Sequence, residues 1–319
     1  MNYHNFGVNF KGFYIMVNKK SKVYLIKTDD RSYGIDNLTE QFNLNSLSGK
    51  DMAIKANFNS ADPFPASTHI ETLKQIIKNL NKKGINDITL AERSGMGNTE
   101  NVLNKMGVFD LADEMSIKII VLDKMERDGW VKIENDGTHW LRGFYMPKLI
   151  MEASSIIQTC CLKTHRFGGH FTLSMKNSVG LVSKRLPGGI YNFMAELHMS
   201  PNQRKMIAEI NKYYKVDMVI MDAIKAFISK GPETGDTVEP NLLLASNDRV
   251  AIDAVGVAIL RNYGSKTNIN NGKIFDQDQI KRAVELEIGV TSVDDIELVP
   301  LNDQSHEDVD RIMKLFEAE

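Results

Sequence analysis

Residues 52–91, MAIKANFNSADPFPASTHIETLKQIIKNLNKKGINDITLA, combine a strand, a helix and a second strand in direct succession. Residues 52–55 form a short apolar run that is typical of a buried strand. Apolar residues at helical spacing follow over residues 68–83, with Thr68 as the predicted N-cap and Gly84 as the stop. Residues 87–91 are the next strand-like run. This order predicts a βαβ unit, in which the two strands are parallel and the crossover is right-handed.

The same alternation extends outward from this unit in both directions. The other predicted strands are at residues 23–27, 117–122, 155–160, 216–221 and 242–245, and the other predicted helices are at 36–42, 99–106, 201–214 and 249–261. We therefore predict an α/β fold with mostly parallel sheets, helices on both faces, and two Rossmann-like lobes with a cleft between them.

The predicted lobes are separated by a segment of different character. Residues 126–144 contain both tryptophans and the hairpin signal Asn-Asp-Gly at 135–137. We predict an N-terminal extension at 1–21, a first α/β lobe at 22–125, a hairpin or connector at 126–150, and a second α/β lobe with C-terminal helices at 151–319. Regular patterning begins only at Lys22, so Met16 is an alternative initiator to Met1.

Composition excludes several classes of function. The 319 residues include 39 Lys and Arg against 41 Asp and Glu, a net charge of −2, which gives no field able to hold nucleic acid or an anionic membrane. At 42% hydrophobic and 25% charged residues, the chain is typical of a folded soluble protein, expected in the cytoplasm. Only the adjacent Cys160 and Cys161 are present, too few to supply the four thiolates of an iron–sulfur cluster or a zinc ribbon.

Polar residues that directly follow strands are the first candidates for a site, because ligands of open parallel sheets bind beyond the carboxyl ends of the strands. Lys55 ends a strand, and with Asn57 and the hydroxyl of Thr68 it could bind an anion. The alternative is a lysine at the sheet edge and a threonine that only caps a helix. In ERSGMGNTE (92–100), a dinucleotide fingerprint fails at Glu100, and a flexible loop that presents Glu92 to a cleft is the better interpretation.

The richest cluster is KTHRFGGH (163–170), followed by Lys176 and Asn177. His165 and His170 are five residues apart, so they cannot form the one-face pair of a metalloprotease helix, although a loop could bring them together. Histidine, lysine and asparagine side chains in so short a stretch can donate hydrogen bonds to an anion or relay a proton. The alternative is a solvated basic loop with one capping asparagine.

The last cluster begins at Asp222, which follows an apolar run and needs a partner if it is buried. The turn at Gly231 could form a nest of amides for an anion. Asp253 shares a helix face with apolar residues, so it is either paired or lines a site. His198 is a further polar candidate, although a lone histidine is more often a packing residue. His165, Asp222 and Asp253 together have the ligand chemistry of a divalent metal site.

Taken in order, these motifs resemble the domain-of-unknown-function 362 family, which is found in prokaryotes and often fused to ferredoxin-like modules. The motifs are KAN (55–57), the helix start at Thr68, KTH (163–165), KNxxG (176–180), Asp222 with Gly-Pro (231–232), and DRVAIDA (248–254). The resemblance covers roughly residues 22–260 and implies no general biochemical activity. Because this chain lacks the cysteines of the fused modules, we expect no iron–sulfur cluster in it. A redox partner protein and a second copy of the chain are the macromolecular partners that we consider.

Our leading hypothesis is an enzyme that acts on a small anionic metabolite in the cleft between the lobes. We assign catalysis to His165 as general acid or base, Lys163 as electrostatic support and Asp222 as the group that orients the histidine. The predicted substrate-binding residues are Lys55, Asn57, Thr68, Glu92, Lys176, Asn177, His198 and Gly231. The alternatives are a non-catalytic metabolite- or metal-binding sensor or carrier, and a protein that docks a partner through Trp130 and Trp140.

Overall fold

The computed structural model describes residues 20–166 and 170–318, and the predictions on residues 1–19, including the initiator Met16, lie outside the described residues. The strands of the described chain are β1 Ser21–Lys27, β2 Met52–Lys55, β3 Ile88–Glu92, β4 Lys118–Val121, β5 Trp130–Ile133, β6 Phe144–Pro147, β7 Ser155–His165, β8 His170–Thr172, β9 Met218–Phe227, β10 Thr237–Val238, β11 Leu242–Ser246 and β12 Ile296–Pro300. The α-helices are α1 Arg31–Thr39, α2 Ile70–Lys82, α3 Thr99–Lys105, α4 Val108–Met115, α5 Lys148–Glu152, α6 Ser174–Asn177, α7 Phe193–Met199, α8 Gln203–Ile210, α9 Arg249–Asn262, α10 Asp278–Glu285 and α11 His306–Glu317.

One large sheet runs through the fold in the order β12-β1-β11-β9-β7-β2-β3-β4, with β8 beside β7 and β10 beside β9. The run from β9 to β4 is parallel, whereas β11 is antiparallel to both of its neighbours. The predicted α/β class with a mostly parallel sheet is therefore confirmed. Two lobes with a cleft between them are not confirmed, because β2 of the first predicted lobe pairs directly with β7 of the second.

Helices cover both faces of this sheet, as the alternation of buried side chains in β11 shows. Leu242 and Leu244 pack in one apolar core together with α9. Leu243 and Ala245 pack in a second core together with α1 and α2. Because successive side chains of a strand point to opposite faces, an uninterrupted apolar run such as this one indicates a strand that is covered on both sides.

Several element boundaries differ from the predicted ones for local reasons. Helix α1 begins earlier than residue 36, because the Asp30 side chain caps it by accepting a hydrogen bond from the Tyr33 amide. Helix α2 begins at Ile70, and its cap is His69, whose Nδ1 accepts from the Glu71 amide at 3.2 Å. The predicted N-cap role of Thr68 is therefore wrong. Strands β7 and β9 continue past residues 160 and 221, where the sequence analysis ended them.

The hairpin expected near residues 126–144 is present as the antiparallel pair β5–β6. Its tryptophans do not form a docking surface. Trp130 is 9% exposed and Trp140 is 1% exposed, and the Trp140 indole donates to the Met206 carbonyl at 3.2 Å. The hypothesis of a partner surface built on these two side chains is wrong, because both belong to an apolar core. No helix in the described ranges has the length and apolar character needed to cross a membrane.

Candidate functional site

A recessed cavity lies where the direction of the sheet reverses. From β2 the chain proceeds to β3 and β4 on one side, and then returns to β7 on the other side of β2. Loops that leave β2 and β7 therefore diverge at their carboxyl ends, which is the usual ligand position in open parallel sheets. A cavity of about 160 Å³ opens there. The predicted site residues that line it are Lys55, Asn57, Glu92, Lys163, His165, Lys176, Asn177 and His198.

At the floor of this cavity lies a buried ion pair between neighbouring strands. Lys55 ends β2 and Glu92 ends β3, and the Lys55 ammonium donates to Glu92 Oε1 at 2.6 Å. Both side chains are 1% exposed. Burial lowers the pKa of Lys55 and raises the pKa of Glu92, although each partner opposes the shift of the other. Glu92 Oε2 is buried without a hydrogen-bond partner in the described chain, and Glu92 is one of the residues that line the cavity.

The motif 176–180 holds Lys55 in place. Asn177 Oδ1 accepts from the Lys55 ammonium at 3.1 Å, and its amide nitrogen donates to the Thr159 carbonyl at 3.0 Å. Gly180 lies directly against the lysine, because a Cβ there would be 2.8 Å from Lys55 Cε and 2.9 Å from Nζ. Asn177 is therefore a positioning residue for the ion pair, and the glycine permits the close approach.

Lys163 is a second buried lysine, but it has no carboxylate partner. It lies in β7, is 0% exposed, and donates to the Ala66 carbonyl. Burial lowers its pKa. A lysine ammonium has three N–H donors, so two of them have no acceptor in residues 20–166 and 170–318. An uncompensated buried cation is costly, which makes its placement at the wall of a cavity informative.

Arg93 and Lys176 add further positive charge without a carboxylate at ion-pairing distance. Arg93 directly follows Glu92 and donates to the carbonyls of Ser94 (3.2 Å) and Val179, while its Nε is buried without a partner in the described part of the chain. Burial lowers the pKa of Arg93 to about 10, so it stays charged at neutral pH. Burial, and then the positive charges of Arg204, Lys163 and Arg93, lowers the pKa of Lys176 to about 7.

The opposite wall is formed by the loop after β9. Gly231 has φ +51°, and a Cβ there would lie 2.0 Å from the Thr164 carbonyl oxygen, so only glycine fits. Its carbonyl accepts from the Arg166 amide at 3.3 Å, next to His165. Glu233 pairs with the Arg166 guanidinium and lines the cavity beside His165. Gly231 thus joins this loop to the end of β7 and is not itself part of the cavity lining.

Asp222 has a structural role that the sequence analysis did not foresee. It lies within β9, is 1% exposed, and accepts from Arg31 Nε at 2.8 Å and from the Thr72 hydroxyl at 2.6 Å. These partners belong to α1 and α2, so the carboxylate fixes two helices to the sheet. Asp222 is not among the residues that line the cavity, and the proposed pairing with His165 is corrected accordingly.

Asp253 is likewise a structural group. Its carboxylate accepts from the Ser174 amide (2.8 Å) and hydroxyl (2.6 Å) and from the Met175 amide (3.1 Å), which fixes the start of α6. The metal site predicted from His165, Asp222 and Asp253 is not assembled, because the two carboxylates are engaged elsewhere. Within the described ranges, no three His, Cys, Asp or Glu side chains come together as metal ligands would.

The other predicted binding residues have distinct positions. Asn57 and Thr68 bind each other across the loop after β2, since the Asn57 amide donates to the Thr68 hydroxyl at 2.9 Å and the Thr68 amide donates to the Asn57 carbonyl at 2.8 Å. Thr68 is therefore behind the cavity wall. His198 lies in α7 at the mouth, exposed, with its Nδ1 at 2.6 Å from the Met194 carbonyl. His165 and His170 face each other across the β7–β8 pair.

Arg93, Thr172 and Glu233 are among the lining side chains that sequence reasoning missed. Thr172 is 7% exposed, and its hydroxyl has no partner in the described chain. Arg93 could have been selected, because it follows Glu92 at the end of β3. Glu233 could also have been selected, because it directly follows the Gly-Pro turn at 231–232. Thr172 has no comparable signal, since it enters the cavity through the pairing of β8 with β7.

Comparison with known proteins gives a family but no activity. The family model described as "Domain of unknown function (DUF362)" matches residues 52–258, which include every predicted site residue. The chain therefore belongs to this family, and the resemblance stated from its motifs is confirmed. A thylakoid-associated protein of Synechocystis sp. is 29% identical over 177 residues, which are 54% of this chain and 50% of that protein. The chain thus spans about half the length of this curated relative.

A solved structure similar to this chain is that of the lactate racemase apoprotein from Thermoanaerobacterium thermosaccharolyticum. The two share 12% sequence identity at a TM-score of 0.45, over 92% of this chain and 87% of that one.

Proposed function

We propose that this member of the DUF362 family is an enzyme that binds a small anionic metabolite in the cavity beside β2 and β7 and transfers a proton there. The proposal keeps the hypothesis made from the sequence but replaces its inter-lobe cleft with the reversal point of a single sheet. It also removes Asp222 from the catalytic group, because the structure engages that carboxylate with Arg31 and Thr72.

One observation carries this proposal: positive charge at the cavity exceeds negative charge. Lys55 is neutralised by Glu92, and Arg166 by Glu233. Arg93, Lys163 and Lys176 have no carboxylate at ion-pairing distance among residues 20–166 and 170–318, and the hydrogen bonds of Arg93 and Lys163 to backbone carbonyls do not neutralise their charges. Charge of one sign in a recessed, low-dielectric site attracts an anion much more strongly than the same charge at the surface.

The proton-transferring groups in our proposal are Glu92 and His165. Glu92 lines the cavity in contact with Lys55, and burial lowers the pKa of the lysine and raises the pKa of the carboxyl group, which favours movement of their shared proton. His165 lines the same cavity, and an imidazole is the side chain that most often transfers protons in enzymes. The neighbouring cations would stabilise negative charge that develops on a bound metabolite, at a few kcal/mol per well-placed group.

We expect the protein to bind oxalate, a small dicarboxylate, with one site per chain, and Lys163→Met to weaken this binding about 10- to 100-fold. Lys163 would donate a charge-assisted hydrogen bond, and such bonds contribute roughly 1.5–3 kcal/mol. Isothermal titration calorimetry of both proteins measures the effect. Methionine keeps the length and the apolar stem of lysine, so the substitution removes the charge with little change in packing.

The matched control is Lys212→Met, which removes an exposed lysine distant in sequence from the cavity residues. It should bind oxalate as the wild type does. Undetectable oxalate binding by the wild type, or equal binding by the wild type and Lys163→Met, would count against an anion site in this cavity. Inorganic phosphate as a second probe shows whether the site prefers planar carboxylates to tetrahedral anions.

A further inference from the structure

We infer that Lys176 is a nucleophile that forms an imine with the carbonyl carbon of a small 2-oxo acid bound in the cavity, because it lines this cavity together with Arg93 and Lys163 and its side-chain nitrogen has no carboxylate or hydrogen-bond partner in the described part of the chain. This inference rests on the proposed function, since it requires the cavity to bind the carboxylate of the same substrate. It goes further by naming the substrate class and the bond that is formed.

Lys176 differs from the other two lysines of the cavity in having nothing to hold its side-chain nitrogen. Lys55 donates to Glu92 and Asn177, and Lys163 donates to Ala66. The Lys176 nitrogen makes no hydrogen bond or ion pair with the residues that the structure describes, although the side chain is partly buried and lines the cavity. Because the side chain is only partly buried, this nitrogen can be reached by a ligand in the cavity.

The backbone that carries Lys176 is, in contrast, firmly fixed. Asp253 binds the two residues before it through the Ser174 amide and hydroxyl and the Met175 amide. On the other side, Asn177 is held by the Thr159 carbonyl. The chain therefore fixes the base of this side chain on both sides and leaves its reactive end free, as a positioned nucleophile requires.

The surroundings of Lys176 favour its neutral, nucleophilic form. Arg204, Lys163 and Arg93 are the positive groups that act on it, and together with burial they lower its pKa to about 7. At neutral pH roughly half of this lysine is then free amine, about a thousandfold more than for a lysine with the ordinary pKa near 10.4. Neighbouring cations and desolvation are the established means of activating a lysine for attack on a carbonyl group.

A 2-oxo acid carries both groups that this arrangement can use. Its carboxylate would be attracted by the positive charges of Arg93 and Lys163, which line the same cavity. The adjacent carbonyl carbon would then face Lys176. A cavity of about 160 Å³ has room for an acid of a few carbon atoms, given that one water occupies about 30 Å³ in the liquid.

The reaction balances with groups that line the cavity. The Lys176 amine attacks the carbonyl carbon, a C–N bond forms, and one amine proton passes to the former carbonyl oxygen to give a carbinolamine. The hydroxyl group leaves as water with a proton from the Lys55–Glu92 pair, and the C–N bond becomes a protonated imine. No oxidant or reductant is needed. This pair suits the role because it holds one proton between two groups whose charged forms are both disfavoured by burial.

The test is reductive trapping with pyruvate. Wild-type protein is mixed with pyruvate at about pH 7 and treated with sodium borohydride, which converts an imine to a stable secondary amine. We expect the intact mass to increase by one reduced pyruvyl group, and peptide mapping to locate this group on Lys176. Lys176→Met should lose the adduct, whereas Lys212→Met should keep it. Because the mapping uses the wild type, the test does not depend on the folding of a variant.

The outcomes separate this inference from the proposed function. A protein that binds oxalate and pyruvate saturably but gives no adduct retains an anion site and contradicts the imine. An adduct spread over surface lysines, or located on Lys55 or Lys163, also contradicts it. A protein that binds neither oxalate nor pyruvate contradicts both the imine and the proposed function. A non-catalytic carrier would bind both anions without an adduct, so the trapping experiment also distinguishes that alternative.

Discussion

Replacing Lys55 by methionine is expected to lower the free energy of unfolding by about 3–5 kcal/mol, because it leaves the buried Glu92 carboxylate without its charged partner. After the substitution, the hydrogen bond from the Arg93 amide at 3.0 Å still reaches this carboxylate, but no cation donates to it within the described chain. Urea unfolding of the wild type and of Lys55→Met measures the difference at equal protein concentration.

The control for this prediction is Lys163→Met, a second substitution of a fully buried lysine by the same residue. Lys163 has no carboxylate to leave behind, so its removal is expected to change the free energy of unfolding by less than about 1 kcal/mol or to increase it. If Lys55→Met and Lys163→Met lowered the free energy of unfolding equally, the distinction between a lysine paired with a carboxylate and one without a carboxylate partner would be contradicted. The double variant Lys55→Met/Glu92→Leu should recover most of the stability, because it removes both charges.

The loss caused by Lys55→Met should also depend on pH in a defined direction. Burial raises the pKa of Glu92 above its value of about 4.3 in the unfolded chain, and removal of Lys55 takes away the charge that opposes this rise. The folded state of Lys55→Met therefore binds more protons than the unfolded state of the same variant above about pH 4.3. Its stability, relative to the wild type, should fall as the pH rises through this range.

Oxalate affinity is expected to fall by up to tenfold per pH unit above about pH 7, through the titration of Lys176. In the free protein its pKa is about 7, and a bound dianion would raise that value by stabilising the protonated form. Below pH 7 the lysine is charged in both states, so the affinity should be constant with respect to this group. Above pH 7 each oxalate must bring a proton with it, and calorimetry at about pH 6, 7 and 8 measures this dependence.

Lys176→Met is the variant that isolates this effect, and its oxalate affinity should be weaker but far less dependent on pH. Stability gives an independent readout without ligand. In the native protein Lys176 loses its proton near pH 7, whereas in the unfolded chain the same side chain loses it near pH 10.4. The unfolded state therefore binds more protons than the native state between these two pH values. The wild type should therefore gain stability relative to Lys176→Met as the pH rises through that window. Parallel pH profiles of the two proteins would contradict the lowered pKa.

Much of this site could be predicted from strand ends alone. Lys55 and Glu92 follow short apolar runs of neighbouring parallel strands, and the carboxyl ends of such strands meet at one edge. The same rule indicates Lys163 and His165 as site residues. Both are still inside β7, because that strand extends beyond residue 160, where the sequence predicts its end. The sequence therefore locates the cavity well, since strand periodicity and strand direction are local properties.

Other parts could not be predicted, because they depend on contacts between distant segments. Asp222 follows an apolar run as a catalytic carboxylate would, but its function is decided by Arg31 and Thr72, 191 and 150 residues away in the chain. Asp253 matched a metal ligand in type, yet its orientation toward the start of α6 is set by how α9 packs on the sheet. The single sheet was also unpredictable, since the pairing of β2 with β7 has no signal in either strand.

The most direct test of the account is a crystal structure of the wild-type protein with oxalate, at a concentration well above the dissociation constant measured in solution. We expect one oxalate in the cavity beside β2 and β7, with its oxygens within about 3.2 Å of Lys163 Nζ and Lys176 Nζ. Oxalate bound elsewhere on the protein, or a cavity that contains only water under these conditions, would contradict it.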